Sequence, residues 1–292
     1  MRQDMFSKES VKKYLKEKVT RDVLKDSPTD LRIMTSNVLF GGMSDLPKGL
    51  TDEDRAIILT EYYKHYKPDF LGLQEMEPKI NALVTEGLRD EYLIPDTDYQ
   101  GACIFTPVLY RVDKWTPLET GFHRFPRHWC WQYHWGLYES KSDPDVRVIH
   151  ANFHYHPSAL PYVDSRCHAV VELNGELLRL REKYPDVPIF LSGDYNVSAN
   201  SPEYAGTFSQ GLKMRSGMLL TDDNDGYMWS VHPVGYPPNF EYEAIDHISV
   251  TEETVRVKRH RLINDEMIIY GSDHCPMFID VELNLSPKAE ML

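Results

Sequence analysis

The chain reads as an α/β fold, and three observations say so. Short apolar runs of strand length recur along it, at residues 31–40, 70–75, 146–156 and 187–191. Stretches with apolar residues at helical spacing lie between several of them. The strand-like runs close on polar residues, and ligand sites in open sheets gather at strand ends. The composition agrees: 41% of the 292 residues are hydrophobic and 26% charged, as in ordinary globular proteins. The length allows one large domain or two small ones, and no internal repeat or low-complexity tract interrupts it.

Residues 10–24 read as a surface helix, with Val11, Tyr14, Leu15 and Val19 recurring among lysines. It is expected to pack on the outside of the main body. Residues 31–40 read as a strand with Ile33, Thr35 and Asn37 on one face. Thr51 reads as a helix cap with Asp54 placed for a capping box, and Lys67-Pro68 ends that helix. The strand at 70–75 terminates in Glu75, and Pro78 opens another helix. Two strands are expected around 102–105 and 108–112. A ring-dense stretch follows, from Trp115 to Tyr138. It fits an aromatic layer between sheets or a stacking wall for a base or a sugar.

Residues 146–156 alternate, with His150, Asn152, His154 and His156 on one face. A helix is expected at 166–184, another after Ser201-Pro202, and mostly loop at 215–243. The acids of Asp222, Asp223 and Asp225 lack the closing Glu of a calcium hand and read as a turn. Strands are expected at 244–250 and, as an edge, at 255–263. Asp273 and His274 stand just before the last strand.

The apolar run 187–191 leads to Ser192, Gly193, Asp194, Tyr195 and Asn196. Asp194 and Asn196 are two residues apart and point to one side of an extended chain. A carboxylate that takes a proton from water, beside an amide that holds an oxygen, makes half of a hydrolytic site. The same residues also fit a strand closed by an Asp-Asn turn. Six strand ends carry such groups: Asn37, Glu75, Asn152 with His154, Asp194 with Asn196, Asp246, and Asp273 with His274. Carboxylates, amides and histidines without a Cys ligand suit a hard cation, Mg²⁺ or Mn²⁺. A divalent ion with a carboxylate-activated water is equipment for phosphoester hydrolysis.

These blocks, in order, resemble the endonuclease/exonuclease/phosphatase superfamily. The matching stretches are the Asn37 strand, Leu73-Gln74-Glu75, Asn152-Phe153-His154, Gly193-Asp194-Tyr195-Asn196, Ile245-Asp246-His247 and Ser272-Asp273-His274-Cys275-Pro276. The resemblance implies a four-layer α/β sandwich of two mixed sheets with helices outside. It also implies roles. Glu75 would be the main metal ligand, supported by Asn37, with Asp273 near the metal. Asp194 would orient or deprotonate water, and Asn196 would hold the phosphate. His154 and His274 would stabilise the phosphoryl oxygens, with Asp246 orienting His274. Some family members carry an acid two residues after the first Asn; Leu39 stands there in this chain, which puts a second metal site in doubt.

The expectation is a divalent-metal-dependent hydrolase of a small or lipid-derived phosphoester. The competing readings are a nuclease, a non-catalytic binding protein on the same fold, and a zinc hydrolase built on His150, His154 and His156. The net charge of -13 repels a phosphate backbone. The organisation expected is a helical extension over 1–28, a catalytic domain over 29–286 and a tail over 287–292. Residues 1–20 lack the apolar core of a signal peptide, and no window approaches the roughly 18 apolar residues of a membrane span. A cytoplasmic monomer with reduced cysteines is expected; Cys275, next to His274, reads as a small core residue.

Overall fold

The computed structural model describes residues 5–95, 105–125, 131–157, 163–209, 211–225, 229–237 and 244–284. In chain order the elements are α1 (Lys8–Lys18), β1 (Leu31–Asn37), α2 (Asp52–Tyr66), β2 (Phe70–Gln74), α3 (Pro78–Leu88), β3 (Tyr92–Leu93), β4 (Val108–Arg111), β5 (Trp115–Arg124), β6 (Gln132–Ser140), β7 (Arg147–His154), α4 (Val163–Lys183), β8 (Ile189–Asp194), α5 (Pro202–Ser209), β9 (Arg215–Ser216), β10 (Asp246–Val250), β11 (Val255–Leu262) and β12 (Met277–Leu283). The strands form two sheets, in the orders β11-β12-β1-β2-β4-β3 and β5-β6-β7-β8-β10-β9. Both are mixed: β1 runs parallel to β2 and β7 parallel to β8, while their other neighbours run antiparallel.

Strand alternation sorts the core into layers. Ile33 and Phe70 of the first sheet meet Val148, Phe190 and Ile248 of the second in one cluster between the sheets. Their chain neighbours Met34 and Leu71 face outward against Tyr62, Leu59 and Val84 of α2 and α3. On the far side Ile149 and Leu191 pack on Leu173 and Leu177 of α4. Strands buried on both faces read as continuous apolar runs, which is why they stood out in the sequence. The result is the four-layer sandwich expected. Gly72 keeps the sheets close: a Cβ there would lie 2.3 Å from Ser192 Oγ and 2.7 Å from Asn152 Oδ1.

The helix signals hold. Thr51 and Asp54 form the capping box of α2, and Lys67 closes it in left-handed backbone before Pro68. The first helix is shorter than expected, ending at Lys18. Asp22 and Asp26 are drawn instead to Arg259 and Arg261, which pins this segment to β11. That strand is the edge expected. The turn carrying Asp223 and Asp225 serves the same network: Asp223 meets Arg261, and Asp225 meets Arg21.

The ring-dense stretch is a β-hairpin, β5 with β6, at the edge of the second sheet. Trp115 and Tyr138 turn inward and each lies 4.8 Å from the Phe70 ring, centroid to centroid. Tyr133 and Trp135 turn outward into the cluster under α4. Most of the described rings of this stretch are therefore core. The strand expected around 102–105 falls mostly outside the described residues, as do Cys103 and Cys130. Among the described residues no helix is long and apolar enough to cross a membrane.

Candidate active site

Strand direction gathers the polar groups at one end of the sandwich. There β1, β2, β7 and β8 finish, while the antiparallel β10 and β12 begin. In the second sheet His154 pairs in register with Asp194, and Asp194 with Asp246, across three adjacent strands. In the first sheet Asn37 pairs with Gln74, one residue before Glu75.

Asp194 stands at the centre. Its Oδ2 accepts from Asn37 Nδ2 at 3.1 Å and lies 3.3 Å from His154 Nε2 and 3.9 Å from His274 Nε2. Its Oδ1 accepts the backbone N–H of Asn196 at 2.8 Å, which closes the chain into a turn with Asn196 at φ 53°. The turn reading of this motif is thus correct, and the turn is what presents the acid. Asn196 Nδ2 donates to Tyr155 O at 2.8 Å and lies 3.1 Å from His154 Nε2. His274 Nδ1 meets Asp246 Oδ2 at 2.7 Å.

Glu75 sits just past the end of β2, at φ 62°. Its Oε1 accepts from Asn37 Nδ2 at 2.9 Å and its Oε2 from Phe40 N at 3.0 Å. Each oxygen keeps a further lone pair. Asn37 Oδ1 takes the Leu39 N–H at 3.0 Å, which fixes the amide with its nitrogen toward the carboxylates. Asn37, expected among the metal ligands, is therefore placed as a donor that holds two acids together.

The loop after Asn37 is gripped by a residue not foreseen from the sequence. Arg55 of α2, fully buried, donates to the carbonyls of Val38, Leu39 (2.8 Å), Phe40 (3.2 Å) and Gly271 (3.1 Å). Asp52 meets it at 2.8 Å. Ser230 gave no sign in the sequence, and Ser272 stood in a matching stretch without a role. Ser230 Oγ accepts from Asp246 N at 3.3 Å, and Ser272 Oγ donates to Asn37 O at 2.7 Å.

Burial opposes the charge on Asp194, yet His154 and His274 outweigh it and hold the carboxyl down at about 2. Burial likewise opposes charge on the two histidines. Asp194 nevertheless raises His154, and Asp246, Asp194 and Asp273 raise His274 well above its usual range. The cluster is thus an ionised acid between imidazoles biased toward the charged form.

The oxygens of Glu75 and Asp194 and a nitrogen of His154 lie within 4.8 Å of one another, as do ligand atoms of Asp194, Asp246 and His274. Two carboxylates that converge with free lone pairs fit a divalent cation. Among the described residues Asp273 joins neither group of three, although it adjoins His274. The three-histidine zinc reading fails on geometry. His150 is turned into the inter-sheet core, its Nε2 2.8 Å from Ser192 Oγ. His156 lies against the Trp131 ring, 3.8 Å between centroids.

Two packed mixed sheets with helices outside, and acids, amides and histidines at their joined ends, define a phosphoesterase-type α/β sandwich. The endonuclease/exonuclease/phosphatase family model matches residues 34–274, and the chain belongs to that family. Its fold is similar to that of a family protein from Bacteroides thetaiotaomicron, with TM-score 0.75 and 19% identity over 89% of this chain and 100% of that one. It is also similar to a mannosyl-6-phosphatase of the same organism (TM-score 0.73, 19% identity, 86% and 99% covered). A third likeness is to D. rerio TDP2 complexed with a single strand DNA product (TM-score 0.64, 20% identity, 87% and 99% covered). No curated protein matches the chain by sequence.

Proposed function

We propose that the chain hydrolyses a phosphoester bond with a divalent cation, Mg²⁺ or Mn²⁺, and that its substrate is small or lipid-derived. The observation that carries the reading is Asp194: buried, ionised, and touching both Asn37 of the first sheet and His154 of the second. Glu75 would hold the cation, with Asn37 fixing its carboxylate. Bound there, the ion would bring positive charge to the phosphoryl oxygens and make the attacking water more acidic.

Asp194 orients that water and takes its proton. Ionised at any pH above its depressed value, it is ready to do so. His274, held by Asp246 and biased toward the imidazolium, stabilises charge on the phosphoryl oxygens as they become equatorial in in-line attack. His154 and Asn196, side by side, hold those oxygens from the second sheet. The chain acts as a cytoplasmic monomer whose catalytic unit spans 29–286.

Family membership supports a phosphoester substrate, and the likeness to a mannosyl-6-phosphatase supports a small one. The likeness to a protein seen with single strand DNA product keeps a nuclease as the second reading, against which the net charge of -13 weighs. A panel of sugar, lipid and nucleotide phosphoesters with Mg²⁺, Mn²⁺ or chelator tests this. Turnover of a small ester that chelator abolishes and Mg²⁺ or Mn²⁺ restores is expected. Turnover of oligonucleotides alone would favour the nuclease, and none at all the non-catalytic binding protein.

A further inference from the structure

A cavity of about 360 Å³ opens beside the catalytic cluster, lined by Leu39, Asp45, Pro47, His232, Tyr236 and Asp273 among others. Its lining reaches the catalytic cluster through two neighbours of cluster residues. Leu39 gives its N–H to Asn37, and Asp273 precedes His274. A second cavity of about 200 Å³ shares Pro47 and Tyr236 with the first and ends on Phe6 and Tyr270. The two cavities adjoin through these shared residues, and Lys48 lines the second alone.

We infer that the first of these cavities binds the alcohol part of the substrate, and that this alcohol is an uncharged polyol, a sugar ring being the clearest case. The inference rests on the phosphoester reading above and adds the class of leaving group.

Charge excludes the anionic alternatives. Among the described residues no Lys or Arg lines the first cavity, whereas two carboxylates, Asp45 and Asp273, do. A second phosphate or a nucleic-acid strand would meet like charge there, which disfavours such partners strongly.

Hydrogen-bond polarity points the same way. Ionised carboxylates only accept. The ring of His232 is 3% exposed, and its Nδ1 faces Pro233 O at 3.1 Å. That N–H is spent on the carbonyl, so Nε2 is left as an acceptor, and it has no partner among the described residues. A ligand that satisfies this wall must bring several donors, as hydroxyls do. Tyr236, 64% exposed, offers a flat face for the C–H side of a sugar ring. A quaternary ammonium is recognised by a cage of aromatic faces, and among the described residues Tyr236 is the one six-membered ring lining the first cavity. The adjoining cavity leaves room for a substituent on the first ring.

The test compares a hexose 6-phosphate with methyl phosphate, choline phosphate and a short oligonucleotide, using the full chain with Mg²⁺. The hexose ester should be preferred over methyl phosphate. Tyr236→Ala and Asp45→Ala should each cut that preference by about tenfold, mainly through KM. A preference that neither variant moves, or that goes to choline phosphate or the oligonucleotide, overturns the inference. Calorimetry separates this from failure of the functional reading. Even without turnover, hexose 6-phosphate should bind wild type more tightly than Tyr236→Ala, and equal binding would overturn the subsite.

Discussion

The two sheets bring their side chains to the site by different means. In the second sheet register places three of them, His154, Asp194 and Asp246, as neighbours across β7, β8 and β10, and Asn196 alone follows in a turn. In the first sheet only Asn37 comes from a strand. Glu75 and Leu39 lie just beyond the strand ends, at φ 62° and 59°. A non-glycine residue in that region costs on the order of 1–3 kcal/mol and persists only where surroundings enforce it. Around Leu39 the enforcing residue is Arg55, which takes the carbonyls of that loop, and Glu75 is tied to the same loop through the Phe40 N–H. Strand register positions a group at no further cost in strain, whereas a loop-borne ligand needs a clamp.

The largest effects should come from Asp194 of the register-built half and from His274, which meets it from the loop before β12. Asp194→Asn should lower kcat by roughly 10²–10⁴-fold if the group serves as general base. His274→Ala should cost about 10²-fold or more as a charge stabiliser. Steady-state kinetics on the best substrate of the panel, with circular dichroism to check folding, measures both. Wild-type kcat in either variant would remove that residue from the mechanism.

The clamp should show itself in stability as well as rate. Arg55→Met leaves Asp52 with only Lys79 for a charged partner among the described residues and strips the loop carbonyls of their donor. Breaking a buried pair in this way typically costs about 3–5 kcal/mol, read as a drop in the urea midpoint. If Arg55→Met melts like wild type and keeps its activity, the loop holds itself and the contrast between the sheets disappears.

The same contrast explains what the sequence made legible. His154, Asp194 and Asp246 stand on apolar strands whose two-residue alternation is visible in the chain, so their convergence followed from strand direction. The caps of α2 and α3 were equally readable, because Thr51 and Pro78 act on their immediate neighbours. Arg55 was not readable: apart from Asp52 its partners are main-chain carbonyls, which carry no sequence signal. The end of α1 was misplaced for a related reason, since Asp22 and Asp26 answer to Arg259 and Arg261, more than 230 residues away. The rings of β5 and β6 suit core and ligand wall alike, and only the packing on Phe70 and α4 separates the two.

A smaller effect distinguishes the core histidines of the second sheet from those of its site. Burial pushes His134 down to about 3. Burial, helped by His134, does the same to His150. Their values when unfolded lie near 6.5. Below about pH 6.5 the unfolded chain therefore binds protons that the folded one refuses. Stability falls as pH drops toward 3, by at most about 1.4 kcal/mol per unit for each histidine. His154 and His274, with raised values, act in another window: their contribution is complete below about 6.5 and is lost as pH rises through those values. Urea midpoints at pH 7, 6 and 5 should decline, and less steeply in His150→Asn. An equal slope in wild type and variant would place the acid sensitivity elsewhere.

The central claim is that two sheet ends, built differently, make one site. A double-variant cycle across the sheets tests it most directly, pairing Glu75→Gln from the first with Asp194→Asn from the second. Groups that act on one transition state lose activity non-additively, so the double variant should be little worse than the weaker single one, measured as kcat/KM with saturating Mg²⁺. Losses that multiply would mean that the two ends work independently, and would contradict the account.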